Sequence, residues 1–175
     1  YYKKDPHVSN CPSHDKYTNS GYDRGHLKPA ADSKSNNQQM EDCSLMSNIA
    51  PQTKELNQKI WKNLEEKARG LAKKYNSIYI VTGRSNAFID SLDSGIMVPS
   101  YYWKSILIEK GNETFVESFL IPNSFSKYDS LIHYFVSVDE LELKMNLDLF
   151  PQLPDSIEVH VESVQESKLQ ELLND

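Results

Sequence analysis

The sequence predicts an α+β domain, a central antiparallel or mixed sheet flanked by helices, on three observations. Leu56, Ile60, Leu64, Ala68 and Leu71 recur every three or four residues with Trp61 beside them, the period of one helix face. Ser77–Thr82 is a β-branched and aromatic run closed by Gly83. Val98–Glu109 and Thr114–Ile121 are two further strand-like runs, split by Lys110-Gly111-Asn112-Glu113, which reads as a hairpin turn.

Taken in order, Tyr1–Gly21 mixes Pro6, Pro12, Asn10, Asn19 and Gly21 and is expected to be irregular with turns. A short strand is expected over Tyr22–Leu27, then Pro29 and a polar loop over Ser33–Gln39, then a second short strand over Asp42–Ile49. Thr53, following Pro51, suits the N-cap of a long helix to Tyr75. The Ser77–Thr82 run is expected to be a buried strand, and Asp129–Phe135 an extended or helical link. Ser137 or Asp139 can cap a helix through Leu147, and Ser163 a final one through Leu173. The first half thus contains a strand-loop-helix unit. A single domain over 1–175 is expected from the length.

Composition narrows the classes. With 38% hydrophobic and 25% charged residues the chain is a folded globular protein, and no apolar run approaches the ~20 residues of a membrane-spanning helix. No basic stretch followed by an apolar core marks a secretory signal, so any such signal is expected to have been removed or never present. A formal charge of −6 and a pI of about 5.4 argue against a general basic coat for nucleic acid. Most Lys and Arg nevertheless lie in residues 1–75, and the tail from Val138 is acidic, which places any anion-binding face in the first half. Cys11 and Cys43 are compatible with one disulfide, with unlinked thiols, or, through Cys11 with His7 and His14, with a zinc site that lacks paired C-x-x-C spacing.

The run Asp23-Arg24-Gly25-His26, then Asn48, Pro51-Gln52, Asn57, Trp61, Glu65 and Arg69, carries the chemistry. None of these residues is telling alone: a lone histidine is more often packed or solvated than catalytic, and Glu65 with Arg69 could be an ordinary surface ion pair. Together they suit phosphodiester hydrolysis. Asn57, Glu65 and Arg69 project from roughly one helix face, with the apolar stripe beside it free to hold the helix on a sheet. His26 has the ordinary pKa of a general base near neutrality. Asn57 offers a hard carbonyl oxygen for Mg²⁺, leaving other positions for water and phosphate. Arg24 and Arg69 supply forked donors to phosphate, Glu65 can hold a metal-bound water or orient Arg69, and Asn48 can hydrogen-bond the surroundings of His26.

These residues, with Asn48-Ile-Ala-Pro51-Gln52, Leu56-Asn57-Gln58 and Leu64-Glu65, resemble the DNA/RNA non-specific endonuclease family, which includes secreted bacterial nucleases and the mitochondrial endonuclease G group. The match is tight from Gly21 to Arg69 and looser through Val81-Thr82-Gly83, Val98-Pro99, Trp103-Lys104 and Phe119–Asn123. The resemblance implies a ββα-metal (His-Me finger) fold, one Mg²⁺ or Mn²⁺ held by Asn57, and His26 as base. It further implies Arg24, Asn48, Glu65 and Arg69 in auxiliary catalytic positions, Arg24 and Arg69 contacting nucleic acid, and cleavage of single- and double-stranded DNA and RNA leaving 5′-phosphates. Members usually carry strands before the DRGH run that this sequence does not include, Arg84 stands where they commonly have proline, and Ser33 and Ser35 where larger apolar residues are common. A secreted or periplasmic location is expected, since such a nuclease endangers its own cytoplasm. A homodimer is carried as an allowed assembly on which the residues are silent.

Competing readings are a nucleic-acid-binding module without turnover and an interaction protein with a coincidental motif; metal-dependent plasmid nicking separates both from an enzyme. Tyr101-Tyr102-Trp103 could stack on bases, though core packing is the commoner use of such a cluster. Lys3-Lys4 and Lys73-Lys74 read as solvated lysines before they read as a phosphate track.

Overall fold

A computed structural model of the chain describes residues 2–75, 77–124 and 130–174. In chain order it contains β1 (Asp23–His26), α1 (Asn37–Cys43), β2 (Ile49–Gln52), α2 (Trp61–Lys74), β3 (Ser77–Arg84), β4 (Phe88–Ser91), β5 (Met97–Pro99), β6 (Tyr101–Lys110), β7 (Glu113–Pro122), β8 (Phe135–Val136), α3 (Val138–Met145), α4 (Asp155–Glu162) and α5 (Leu169–Asn174). Four strands form one antiparallel sheet in the order β3-β6-β7-β8, while β1–β2 and β4–β5 form two-stranded antiparallel pairs.

Period-2 alternation along β6 builds both layers of the core. Tyr102, Ile106 and Ile108 pack with Leu56, Ile60, Trp61, Leu64, Ala68 and Leu71 of the long helix, joined by Leu169 and Leu172 of α5. Trp103 and Leu107 pack on the opposite face with Val138, Leu141, Leu149 and Val161 of the C-terminal layer. With both faces covered, β6 reads as a nearly continuous apolar run. The β6–β7 turn follows the expected form, with Lys110 opposite Glu113 and Gly111 at φ +61°. β3 departs from expectation. It is paired only by β6 in the four-stranded sheet, so Tyr79 and Ile80 are 55% and 39% exposed rather than buried.

Other boundaries moved for local reasons. The loop expected over Ser33–Gln39 and the strand over Asp42–Ile49 give way to α1, because Asn36 caps it by accepting from Gln39 N at 3.0 Å, and the second strand begins only at Ile49. Ser137 caps α3, accepting from Glu140 N at 3.2 Å, and Asn146 at φ 52° closes it before Leu147. Ser163 ends α4 instead of starting a helix: its hydroxyl donates to His160 O at 3.2 Å, and the final helix starts at Leu169. Of the link expected from Asp129, which lies outside the described residues, Leu131–Tyr134 is a 3-10 turn and Phe135 joins β7.

The two cysteines are free thiols in separate surroundings, not a disulfide. Cys43 Sγ lies 3.1 Å from the Oγ of buried Ser33, so that serine is a packing residue, while Cys11 Sγ accepts from Asp5 N at 3.3 Å. His7, Cys11 and His14 form no ligand-spaced group among the described residues, which also removes the zinc reading.

Candidate active site

β1 and β2 pair with Asp23 opposite Gln52, Gly25 opposite Ala50 and His26 opposite Ile49. From Gln52 the chain turns through Thr53, whose hydroxyl accepts from Leu56 N at 3.2 Å, directly into the long helix. Strand, strand and helix therefore converge at the DRGH run. Gly25 is required there, because a Cβ would lie 2.2 Å from Cδ and Oε1 of the fully buried Gln52 side chain. Tyr102 Oη, donating to Pro51 O at 2.8 Å, and Asn123 Nδ2, donating to the same carbonyl at 2.9 Å, fasten β2 to the main sheet. Tyr102 and Trp103 are thus core, and of the expected aromatic cluster only Tyr101 is exposed.

His26 is half-buried, with the Tyr2 ring 5.8 Å away, and burial holds its pKa below the usual imidazole value. The neutral ring that a general base needs is therefore favoured near neutrality. Its carbonyl accepts from Trp61 Nε1 at 3.3 Å, which ties β1 to the first turn of α2. Asn48 clamps the segment leaving His26: Oδ1 accepts from Lys28 N at 2.9 Å, Nδ2 donates to Lys28 O at 2.9 Å and to Cys43 O at 3.0 Å, and its own carbonyl accepts from Leu27 N at 2.9 Å.

Asn57 lies in a π-helical turn, Leu56–Ile60, a local widening often met at functional positions. Its Nδ2 donates to Asp23 Oδ2 at 2.9 Å, and Gln58 Nε2 donates to the same oxygen at 2.8 Å. An ionised carboxylate only accepts, so Asp23 dictates which end of the Asn57 amide faces it. Oδ1 is turned away and takes no hydrogen bond among the described residues. Sequence reasoning passed over Asp23 as a functional residue, although its place at the head of DRGH was the available signal.

Farther along α2, Arg69 Nη1 pairs with Asp32 Oδ1 at 3.1 Å, so its ion pair reaches across to the 3-10 turn Ala30–Ser33 rather than to Glu65. Burial raises the Glu65 pKa, opposed by Lys104 and then Arg69. Arg24 is committed to the N-terminal segment, its Nε and Nη2 donating to His14 O at 3.0 and 2.8 Å and its Nη2 to Thr18 Oγ1 at 3.1 Å, and it lies 5.8 Å from the Tyr2 ring centre. The irregular opening stretch is thereby part of the site's wall. Two of the lysines read first as solvated have ordinary surface partners: Lys3 pairs with Glu41 at 3.3 Å, and Lys74 lies 5.7 Å from the Tyr75 ring centre.

The donor set fits a hard divalent cation. One fixed, neutral amide oxygen beside an Asp carboxylate leaves the remaining positions for water and phosphate, as Mg²⁺ prefers. The described residues contain one acidic group with ligand spacing, Asp139, Glu142 and Glu162, but it belongs to α3 and α4, outside the β1–β2–α2 unit.

This arrangement is the ββα core of a metal-dependent nuclease fold. The chain's fold matches that of the EndoG/EndoGI complex structure with a TM-score of 0.80 at 24% identity, covering 90% of this chain and 71% of that one. It is 36% identical over 162 residues to the mitochondrial nuclease of Saccharomyces cerevisiae, covering 80% of this chain and 49% of that protein, and 31% identical to the mitochondrial endonuclease G of Bos taurus, covering 78% and 50%. Residues 2–156 match the DNA/RNA non-specific endonuclease family, and the chain belongs to it. The chain spans about half the length of the curated relatives it matches. The expectation of a secreted or periplasmic protein is corrected by these relatives, which are named as mitochondrial; the hazard of a nuclease to its own cell is met equally by confinement in an organelle.

Proposed function

We propose that the chain is an endonuclease that hydrolyses phosphodiester bonds of DNA and RNA with little sequence preference and depends on Mg²⁺ or Mn²⁺. The observation that supports this best is the Asn57 amide, held at its nitrogen by Asp23 of the DRGH run and presenting its oxygen in the same three-element unit as His26. His26, kept neutral by burial, takes a proton from water as the water oxygen attacks phosphorus. The P–O3′ bond breaks, and the departing oxygen takes a proton from solvent water, leaving a 3′-hydroxyl and a 5′-phosphate. Asn57 Oδ1 would hold the cation, which when bound neutralises charge on the phosphate and the leaving oxygen. Asn48 fixes the backbone leaving His26, so the imidazole meets its substrate already oriented. Arg24 and Arg69, each anchored by an oxygen acceptor, would offer remaining donors to phosphate at little ordering cost. The relatives' names support a mitochondrial setting.

Supercoiled plasmid and RNA digestion with Mg²⁺, with Mn²⁺ and with chelator tests the reading, run beside Asn57→Ala. Cleavage of both substrates that chelator abolishes is expected. In Asn57→Ala the Mg²⁺ concentration for half-maximal rate should rise at least about tenfold, the loss typical of disturbed metal binding. Cleavage indifferent to metal, or an unchanged Mg²⁺ titration in Asn57→Ala, would defeat it.

A further inference from the structure

Lys104 stands on β6 on the face turned to α2 and is only 2% exposed, alone in its burial among the described lysines. Its Nζ donates to Thr82 Oγ1, directly across the strand pair, at 2.7 Å, and lies 4.9 Å from the centre of the Trp61 ring. A methionine would fill the slot without stripping an ammonium of its water, so the charge itself calls for a purpose. No ion pair within hydrogen-bonding reach uses Lys104 among the described residues. The opposite charge it feels most is Glu65, then Asp32, with Arg69 opposing, and burial pulls its own pKa down. On the same sheet face the other buried carboxyl, Glu117, is taken up by Ser167 Oγ at 2.5 Å and Lys168 N at 2.7 Å.

Glu65 follows Trp61 by one helical turn, which brings it over the same ring that covers Lys104. Trp61 in turn holds the His26 carbonyl through Nε1. Burial pushes the Glu65 carboxyl up and Asp32 pushes with it; Lys104, Arg69 and the Trp61 indole pull the other way, Lys104 most. A glutamate in such surroundings takes up a proton unless a fixed cation faces it.

We propose that Lys104 is a positioning residue for the hydrolysis: its buried ammonium, fixed by the Thr82 hydroxyl and the Trp61 ring, lies beside Glu65 at that ring and favours its carboxylate form in the β1–β2–α2 site. The inference rests on the nuclease reading for its role in turnover, but the electrostatic influence it asserts is independent of activity. Lys104 acts through Glu65 and touches no substrate.

The test is a ¹³C-carboxyl NMR titration of Glu65 in the full chain, its signal assigned by its loss in Glu65→Gln. In Lys104→Gln, which keeps a hydrogen-bonding end without charge, the Glu65 midpoint should rise by about one pH unit, tenfold in proton affinity. In plasmid nicking, kcat should fall about tenfold near neutral pH with KM unchanged, and the acid limb should move up with the NMR midpoint. Adding Lys104→Gln to Glu65→Gln should cost nothing further. An unmoved Glu65 midpoint, or a double variant as slow as the two losses multiplied, overturns the proposal. Circular dichroism verifies the fold. If the glutamine variant does not fold, Lys104→Met and the milder Thr82→Val, which frees the ammonium from its anchor, give the same readout, with the same outcomes decisive. A wild type that cleaves nothing would count against the nuclease reading alone, since the NMR result stands without it.

Discussion

The β1–β2–α2 unit and the layer of α3 and α4 lean on opposite faces of one sheet, both through apolar clusters, yet the first is in addition pinned group by group. On the first side, named polar contacts locate each functional group: Asp23 on Asn57, Asn48 on the Lys28 backbone, Trp61 on the His26 carbonyl, Asp32 on Arg69. On the second, Val138, Leu141, Leu149 and Val161 bury against Trp103, Leu107, Val116 and Leu120, beside the buried hydroxyl pair Ser105–Ser118 at 2.6 Å and surface pairs such as Lys144 with Glu140. Directional bonds specify where an atom sits; apolar burial specifies only that it is inside. Substituting a polar group of the first side should therefore cost chemistry, and substituting an apolar residue of the second should cost stability alone.

His26→Ala gives the sharpest contrast. Loss of general-base catalysis should lower kcat by about two to four decades, while the melting temperature stays near wild type. A variant cleaving at close to the wild-type rate would remove His26 from the mechanism. The mirror experiment is Leu141→Ala, from a side chain buried completely: unfolding free energy in urea should fall by about 2–5 kcal/mol, with kcat/KM per folded molecule unchanged. A drop in kcat/KM at constant folded fraction would show that the two faces are coupled.

The rate profile sharpens the comparison further. Burial moves His26 down and Glu65 up, so of the two groups that the proposed mechanism needs unprotonated the carboxyl, not the imidazole, is the later to lose its proton as pH rises. Activity should rise with pH on an acid limb lying above the usual carboxylate range, and Glu65→Gln should shift that limb down as well as lower its plateau. Stability runs the opposite way. The native state holds the Glu65 proton more tightly than the unfolded chain does, so this group's contribution falls as pH rises from the ordinary carboxylate value to the native one. An acid limb unmoved by Glu65→Gln would show that His26 alone sets it. The smallest effect belongs to Lys144→Ala. It breaks an i,i+4 pair exposed at 48% and 46%, and should change stability by about 0.3–0.5 kcal/mol, with activity unaltered.

What was legible follows the same division. Periodicity exposed the long helix, the β6–β7 hairpin and the apolar stripe, because burial repeats with the geometry of the element. The DRGH run and Asn57 were legible as chemistry. Their contacts were not: nothing in a sequence says that Asp23 meets Asn57, 34 positions away, or that Arg69 passes over its helix neighbour to reach Asp32. Lys104 was hidden for a physical reason, since a lysine in a strand ordinarily marks the solvent side and only the pairing of β6 between β3 and β7 puts it under the helix. α1 was missed because a capping asparagine outweighed a weak alternation, and the cysteine pairing failed because spacing along a chain says nothing about separation in space.

The π-helical turn at Leu56–Ile60 means that this helix carries one residue more than its ladder of bonds requires. Deleting any single residue there would let the backbone relax to regular α geometry and would look harmless by propensity. It would also narrow the turn on which Asn57 sits and so disturb the 2.9 Å bond from its amide to Asp23. The segment is closed to length change even where individual side chains are open to replacement, so, on the function proposed above, a one-residue gap at this place in an otherwise matching chain would mark a protein that no longer presents the Asn57 amide as this one does.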